Sequence, residues 1–338
     1  MYKAFYNLSE NPFQLNANLD FLFNSAGHKR AKAYLRYGLV QGEGFVVVTG
    51  VPGTGKTMLV KELFYSLQQD KDILIGLMVT SQLEAEDTLR MLASAFKISY
   101  GTHDNKAMLL SRLENFFKES AQQGKRVLLV VDEAQNLPQS SIEELRMLSN
   151  YEWEGKVIFQ IFLLGQEELG ELLYSSEMDQ VKQRIVATYH LKALEEDEVK
   201  EYILFRLVKA GWKDNPKFTE DVFTEIYQYT KGIPRRINTL CDRLLLYGYL
   251  EELTELDITC AQHVIKEIDS DYKSLNTHKS VVTEKPATEQ TSNLTENQRI
   301  LMLENKVADL SNSLNKEKAL LRKAILIQLD MDDIYTQD

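Results

Sequence analysis

Between residues 44 and 190, short runs of β-branched and aliphatic residues alternate with longer segments whose apolar residues recur at helical spacing. The apolar runs predict strands at 44–49, 73–79, 127–131, 157–164 and 186–190. The helix-periodic segments predict helices at 56–69, 85–96, 106–122 and 140–151. This alternation is typical of an α/β fold in which a parallel sheet is covered by helices on both faces.

The pattern changes after residue 194, where the strand-like runs stop. Amphipathic segments near 195–210, 219–230, 235–250 and 257–268 predict several helices in a short span. Such helices can pack as a small bundle, and their attachment after the last strand would let them hinge over a ligand at the carboxyl edge of the sheet. We therefore expect a core at 41–192 followed by an all-α lid at 193–270.

The last part of the pattern is a tail of two segments. Residues 271–296 are polar and poor in large apolar groups, which predicts a flexible linker. Within 297–330, apolar residues fall on seven-residue a and d positions, which favours a coiled-coil helix; they are Ile300, Leu303, Val307, Leu310, Leu314 and Leu321. The alternative is a single amphipathic helix that docks on the chain's own surface.

Composition narrows the function classes. The formal net charge of −11 argues against a dedicated nucleic-acid binder without excluding a local basic patch. No uncharged apolar run approaches the roughly 18 residues that span a bilayer, and the start lacks a secretory signal, so we expect a cytoplasmic protein with no direct membrane insertion. The two cysteines, Cys241 and Cys260, lie in apolar helical segments and are expected to be buried free thiols.

Residues 50–57 read G-V-P-G-T-G-K-T, between the first predicted strand and the first predicted helix of the core. Glycines allow successive N–H groups to wrap a phosphate at a helix N-terminus. In this motif the lysine, Lys56, reaches the β- and γ-phosphates, and the hydroxyl of Thr57 ligates Mg²⁺. A glycine-rich turn that binds nothing would explain neither group. The predicted nucleotide-binding residues of this stretch are Gly50, Val51, Pro52, Gly53, Thr54, Gly55, Lys56, Thr57 and Met58.

A second candidate group follows the apolar run at 127–131. Asp132 and Glu133 would lie at the carboxyl edge of a buried strand. Together with the glycine loop they predict ATP hydrolysis, in which Asp132 binds nucleotide and holds the Mg²⁺ shell with Thr57, while Glu133 polarises the attacking water.

Three further side chains complete the catalytic hypothesis. Arg184, just before the last sheet strand, could reach the γ-phosphate of a neighbouring subunit as an arginine finger; alternatively it is a surface arginine. Arg235, preferred over Arg236, opens a lid helix and could point at phosphates bound to its own subunit; otherwise it is solvated. Gln166, at the end of the fourth strand, could sense the γ-phosphate or the water; alternatively it has no catalytic role.

Taken in order, these motifs resemble the AAA+ ATPases, and more narrowly the ExeA/GspA-type secretion ATPases and the ATPase encoded beside the exosortase and its PEP-CTERM exopolysaccharide locus. The resemblance covers roughly 1–270 and rests on 1–6, 11–13, 33–39, 42–45, the glycine loop, V-D-E-A-Q-N-L at 131–137, E-L-R-M-L-S-N at 144–150, 232–238 and 240–246. It implies a P-loop NTPase αβα sandwich, ATP and Mg²⁺, and a homo-oligomeric ring or filament with sites between subunits. It also implies that the N-terminal segment 1–40 packs on the nucleotide site, with Pro12 and Phe13 near the base.

The first functional hypothesis is a Mg²⁺-dependent ATPase that acts as an oligomeric motor or regulator in exopolysaccharide export and the exosortase/PEP-CTERM surface-protein system or related secretion. A membrane-embedded export partner would hold it peripherally at the inner membrane. One alternative is a DNA-associated ATPase of the transposition-helper type, although nucleic acid is disfavoured by the acidic balance. Another is a nucleotide-dependent scaffold whose hydrolysis is incidental.

Overall fold

The computed structural model describes residues 2–16, 18–67, 72–79 and 85–280. The described residues up to Ser270 form one compact unit, and the described residues from Asp271 onward belong to a second. The strands are β1 Phe45–Gly50, β2 Ile73–Val79, β3 Arg126–Asp132, β4 Glu152–Trp153, β5 Lys156–Val157, β6 Phe159–Gly165, β7 Ile185–Leu191, β8 Lys217–Phe218 and β9 Glu255–Leu256. The helices are α1 Tyr2–Phe5, α2 Ala26–Gln41, α3 Lys56–Leu67, α4 Ala85–Ala95, α5 Lys106–Gln122, α6 Gln139–Leu148, α7 Glu167–Leu173, α8 Asp179–Lys182, α9 Glu196–Lys209, α10 Glu220–Thr230, α11 Pro234–Leu250 and α12 Ile258–Ser280.

The five long strands form one parallel sheet in the order β2-β3-β6-β1-β7. Their apolar runs are buried almost throughout, as expected for a parallel sheet covered on both faces. All five strands predicted from the sequence are present, with ends shifted by at most two residues. Because the strands are parallel, β1, β3 and β6 bring the residues that follow them to the same edge of the sheet.

Helices cover both faces, so the predicted three-layer sandwich is confirmed. Alternate side chains of β1 belong to two different apolar clusters, one on each face of the sheet. Val46 and Val48 pack with α2 and α3, whereas Phe45 and Val47 pack with α4 to α8. This period-2 alternation is what a strand with two buried faces produces. The helix α2, which the hydrophobic pattern had not predicted, packs against β7 and β1.

A separate apolar cluster holds the lid, formed by α9 to α12. The first residues of the chain join this cluster, since Tyr6, Leu8 and Phe13 are buried in it. Ser9 pairs with the lid through its backbone N–H, which donates to the carbonyl of Ala210 at 2.8 Å. The segment 1–40 is therefore divided: its first part is bound to the lid, and its last part, α2, lies on the sheet.

The four predicted lid helices are all present, and both cysteines are buried free thiols as expected. The last helix differs from the prediction because α12 continues to Ser280, past the predicted end near residue 268 and into the predicted linker. The rest of the linker and the predicted coiled coil at 297–330 lie outside the described residues.

Candidate active site

The glycine loop connects β1 to α3, as the motif requires. Gly53 and Gly55 have φ values of +88° and +102°, which side chains other than glycine rarely adopt. A Cβ on Gly53 would lie 2.8 Å from Cβ of Arg235, and one on Gly55 would lie 2.8 Å from Nε2 of His28. The two glycines therefore allow the loop to approach both the lid and α2 closely.

Lys56 is buried at the start of α3. Its Nζ donates to the carbonyl oxygens of Gly50 at 2.8 Å and Val51 at 3.1 Å. Burial lowers the pKa of Lys56 from its ordinary value, and the nearby carboxylates of Glu133 and Asp132 oppose that shift. The ammonium is thus held against the loop that is expected to bind phosphate.

Thr57 and Asp132 meet across the sheet edge, since Oγ1 of Thr57 donates to Oδ2 of Asp132 at 2.8 Å. A hydroxyl and a carboxylate are oxygen donors of the kind Mg²⁺ prefers. The donor set therefore fits the predicted magnesium position, and it draws one residue from α3 and one from β3.

Glu133 has a left-handed backbone conformation, φ 54° and ψ 38°, which typically costs a residue of this kind about 1–3 kcal/mol. Its Oε2 accepts hydrogen bonds from Nε2 of Gln135 at 2.7 Å and from Nε2 of Gln166 at 3.3 Å. Oε1 of Gln135 in turn accepts from the backbone N–H of Gln166 at 3.0 Å. Two amides from different strand ends therefore hold the carboxylate at the cavity.

A cavity of about 420 Å³ joins these parts. It is lined by the glycine loop with Glu133 and Gln166, by several residues between Gln14 and Phe23, and by residues of the lid. Its volume lies in the range of pockets that hold small molecules and cofactors.

Comparison with known proteins agrees with this arrangement. A family model described as "AAA domain" matches residues 39–173, which span the glycine loop, Glu133 and Gln166. The chain contains an AAA domain at residues 39–173.

A relative and three solved structures extend the comparison to the lid. General secretion pathway protein A of Aeromonas hydrophila is 35% identical over 271 residues, covering 79% of this chain and 49% of that protein, so the chain spans about half the length of this curated relative. The Aeropyrum pernix ORC2 protein matches with a TM-score of 0.56 at 15% identity, covering 77% of this chain and 72% of the other. Cdc6p of Pyrobaculum aerophilum matches with a TM-score of 0.57 at 13% identity, covering 72% of this chain and 67% of the other. Drosophila ORC bound to DNA matches with a TM-score of 0.53 at 15% identity, covering 77% of this chain and 66% of the other. At such identities these structures show the fold alone.

The structure brings most of the predicted residues of the AAA domain together with the lid arginine. Arg235 lines the cavity, and its backbone N–H donates to the carbonyl of Gly53 at 3.2 Å; Arg236 is exposed and does not line it. Arg184 immediately precedes β7, at the end of the sheet opposite the glycine loop, and its Nη1 lies 3.5 Å from the carbonyl oxygen of Ser149. It therefore does not reach the cavity of its own AAA domain.

Phe13 is placed differently from the expectation that it lies near the base. Its ring is 1% exposed, belongs to the lid cluster and does not line the cavity, and Pro12 does not line it either. The reason is Arg206, whose guanidinium donates to the carbonyls of Pro12 at 2.6 Å and Gln14 at 3.3 Å and fixes this turn on the lid. The cavity is lined instead by residues that follow this turn, namely Gln14, Leu15, Asn16, Asn18, Phe21, Leu22 and Phe23.

Several residues around the AAA domain's cavity were not among the predicted site residues. His28, Tyr202, Arg206 and Asn238 all line it, and Gln135 holds Glu133. Gln135 and Asn238 stand inside the motifs that carried the family resemblance, which was the available signal. His28 is a single histidine on a helix, and no local pattern distinguishes it from a packing residue.

No helix within the described ranges is long and apolar enough to cross a membrane.

Proposed function

We propose that this chain is a Mg²⁺-dependent ATPase that acts as an oligomeric motor or regulator in exopolysaccharide export and the exosortase/PEP-CTERM surface-protein system or in related secretion. The observation that carries the ATPase activity is that Lys56, Thr57 and the amide-held Glu133 line one cavity, with Asp132 hydrogen-bonded to Thr57. The likeness to General secretion pathway protein A supports the secretion context.

The chemistry follows from these positions. The glycine loop and Lys56 would bind the β- and γ-phosphates of ATP, and Thr57 and Asp132 would hold Mg²⁺, which neutralises charge on the phosphates when bound. Glu133 would accept the hydrogen bond of the attacking water and orient it. Gln166, which contacts the same carboxylate, would report the occupancy of that position to the end of β6.

Oligomerisation completes the proposal. Arg184 lies far from the glycine loop of its own subunit, so its catalytic role requires a neighbouring copy of the chain in a ring or filament. Arg235 of the same subunit would couple the lid to the phosphates. The protein would be cytoplasmic and held at the inner membrane by an export partner.

The test is the Glu133→Gln variant. It should bind ATP like the wild type and lose hydrolysis by about 10²- to 10⁴-fold, as expected when a general base is removed. Lys56→Met serves as the matched variant that should lose binding as well. Magnesium-dependent ATP binding measured by calorimetry separates the two, and a wild-type chain that binds no ATP would overturn the proposal. If Glu133→Gln still supports polymer export in cells, the scaffold hypothesis replaces it.

One observation favours a DNA-associated ATPase as a second candidate. The helix α2 carries four basic residues and no acidic one, and three of them, Lys29, Arg30 and Arg36, are exposed. Such a face is the kind of local basic patch that the net charge alone could not exclude. Fluorescence anisotropy with duplex DNA at about 50 and 200 mM salt tests it: ATP-dependent, salt-sensitive binding that Arg30→Glu abolishes would favour this candidate.

A further inference from the structure

The cavity has an aromatic end as well as a phosphate end. The rings of Phe23 and Tyr202 meet edge to face with their centroids 5.7 Å apart, and the guanidinium of Arg206 lies 5.2 Å from the centre of the Phe21 ring. Phe21, Phe23, Tyr202 and Arg206 all line the cavity. A planar, largely apolar group fits such surroundings better than a phosphate does.

A chain of hydrogen bonds crosses this end. Nη1 of Arg206 donates to the hydroxyl of Tyr202 at 3.0 Å, and this hydroxyl lies 2.8 Å from Oδ1 of Asn238. Because a guanidinium can only donate, the tyrosine oxygen accepts from Arg206 and directs its own proton to Asn238. Burial raises the pKa of Tyr202, so the hydroxyl keeps the proton that this arrangement needs.

This series of hydrogen bonds fixes the orientation of the Asn238 side-chain amide. Its Oδ1 must face Tyr202, because a flipped amide would set two donors against each other. The NH₂ group is therefore directed away from Tyr202 on a side chain that is 7% exposed and lines the cavity. Within the described part of the chain, Nδ2 of Asn238 has no hydrogen-bond partner. The amide donor therefore faces the cavity, where a bound ligand can supply its acceptor.

The position along α11 indicates which part of a nucleotide supplies the acceptor. Arg235, whose backbone N–H contacts Gly53 of the phosphate loop, lies one helical turn before Asn238. Asn238 is thus displaced from the loop toward the aromatic end, where it contacts Tyr202. The base, rather than the phosphates, would meet it there.

We propose that Nδ2 of Asn238 donates a hydrogen bond to a ring nitrogen of adenine, and that Tyr202 and Arg206 are positioning residues for this amide. The inference rests on the proposed ATP binding. Adenine presents unprotonated ring nitrogens at its edges, and these are acceptors. The lid would then read the base through Asn238 and the phosphates through Arg235, two residues on one helix.

The experiment measures the affinity of the full chain for ADP by calorimetry, since ADP avoids turnover. Asn238→Asp, which has nearly the same shape but replaces the donor by an acceptor, should weaken ADP binding by about tenfold or more, as expected for a buried hydrogen bond that is lost. Tyr202→Phe frees the amide to rotate and should weaken binding less. Thr239→Val, the adjacent residue, which does not line the cavity, is the matched control and should bind ADP like the wild type.

A second measurement uses three analogues of ADP, each lacking one ring nitrogen: 1-deaza, 3-deaza and 7-deaza. Because they are compared on the wild-type chain first, the result does not depend on whether a variant folds. The wild type should bind one of the three about tenfold more weakly than ADP, and Asn238→Ala should bind that analogue and ADP equally. In Tyr202→Phe the preference for ADP over that analogue should shrink, which a purely structural role would not cause. Equal binding of all analogues by the wild type, or unchanged ADP affinity in Asn238→Asp, would overturn the inference. A wild-type chain that binds no adenine nucleotide contradicts the proposed function instead.

Discussion

Gln135 donates a 2.7 Å hydrogen bond to Oε2 of Glu133, the same carboxylate oxygen that Gln166 reaches at 3.3 Å. The amide oxygen of Gln135, Oε1, accepts a hydrogen bond from the backbone N–H of Gln166 at 3.0 Å. Gln135 therefore links the ends of β3 and β6, and the direction of the Glu133 carboxylate depends on the relative position of these two strand ends. A nucleotide that moves Gln166 would move Glu133 with it.

The first prediction concerns Gln135. Gln135→Ala should lower kcat for ATP hydrolysis by about tenfold, because the carboxylate loses its fixed orientation, while the affinity for ATP changes little. Gln139→Ala is the matched control: the same residue type four positions later, whose amide contacts the carbonyl of Glu177 rather than Glu133. Steady-state kinetics with ATP distinguishes the two parameters, and an effect confined to KM would contradict the assigned role.

The sheet, the glycine loop and the Asp132–Glu133 pair could be predicted because each is coded locally, by the period of apolar residues or by a short motif. The aromatic end of the cavity, where we propose that the base binds, could not be predicted. The placement of Phe13 depends on Arg206, some 190 positions later in the chain, and the amide of Asn238 is set by Tyr202 on another helix. Hydrogen bonds between residues so distant in sequence leave no periodic signal. The helix α2 was not predicted for a different, local reason: its exposed side mixes apolar and basic residues, which weakens the helical period of the apolar positions.

Arg235 gives the second prediction. Arg235→Ala should weaken binding of ATP by about fivefold to tenfold, and that of ADP by less, because the lost guanidinium would have contacted the terminal phosphate. Arg236→Ala, the adjacent residue that does not line the cavity, should leave both affinities unchanged. Calorimetry in the Glu133→Gln background prevents turnover during the titration. Equal losses for ATP and ADP would place Arg235 away from the γ-phosphate.

The third prediction tests Arg184 by mixing two inactive variants. Arg184→Ala keeps an intact site but provides no finger, whereas Glu133→Gln provides a finger from a site that cannot hydrolyse. If Arg184 acts on the neighbouring subunit, co-assembled mixtures should hydrolyse ATP faster than either variant alone, since an arginine finger contributes roughly 10³- to 10⁵-fold to the rate. Mixtures that assemble, as seen by light scattering, but show no recovery would contradict action between subunits.

His28 provides a prediction on stability and pH. Burial, aided by the ammonium of Lys32, lowers the pKa of His28 to about 4. Between about pH 6.5 and 4 the unfolded chain therefore binds a proton at this residue that the folded chain does not, so stability is lost as pH falls through this window and is unaffected above it. At pH 5.5 the contribution is about 1 kcal/mol. Urea unfolding at pH 7.5 and 5.5 should show a smaller loss for His28→Asn than for the wild type. The exposed His103, changed in the same way, is the control, and equal losses in all three proteins would show that His28 does not contribute.

The tail supplies the last prediction, from the seven-residue seam between Ile300 and Leu321. If this seam is a coiled coil that joins copies of the chain, a protein ending at residue 296 should show a lower oligomeric mass by light scattering, because the paired apolar surface is gone. Its ATP affinity should be unchanged, since the cavity is built from residues 14–238. Leu310→Asp in the full chain should have the same effect by placing a charge in the seam, whereas Asn312→Asp, the same charge at a polar position outside the a and d positions, should not. An unchanged mass in the shortened chain and in Leu310→Asp would exclude self-association through the tail and favour a helix of a partner protein as its ligand.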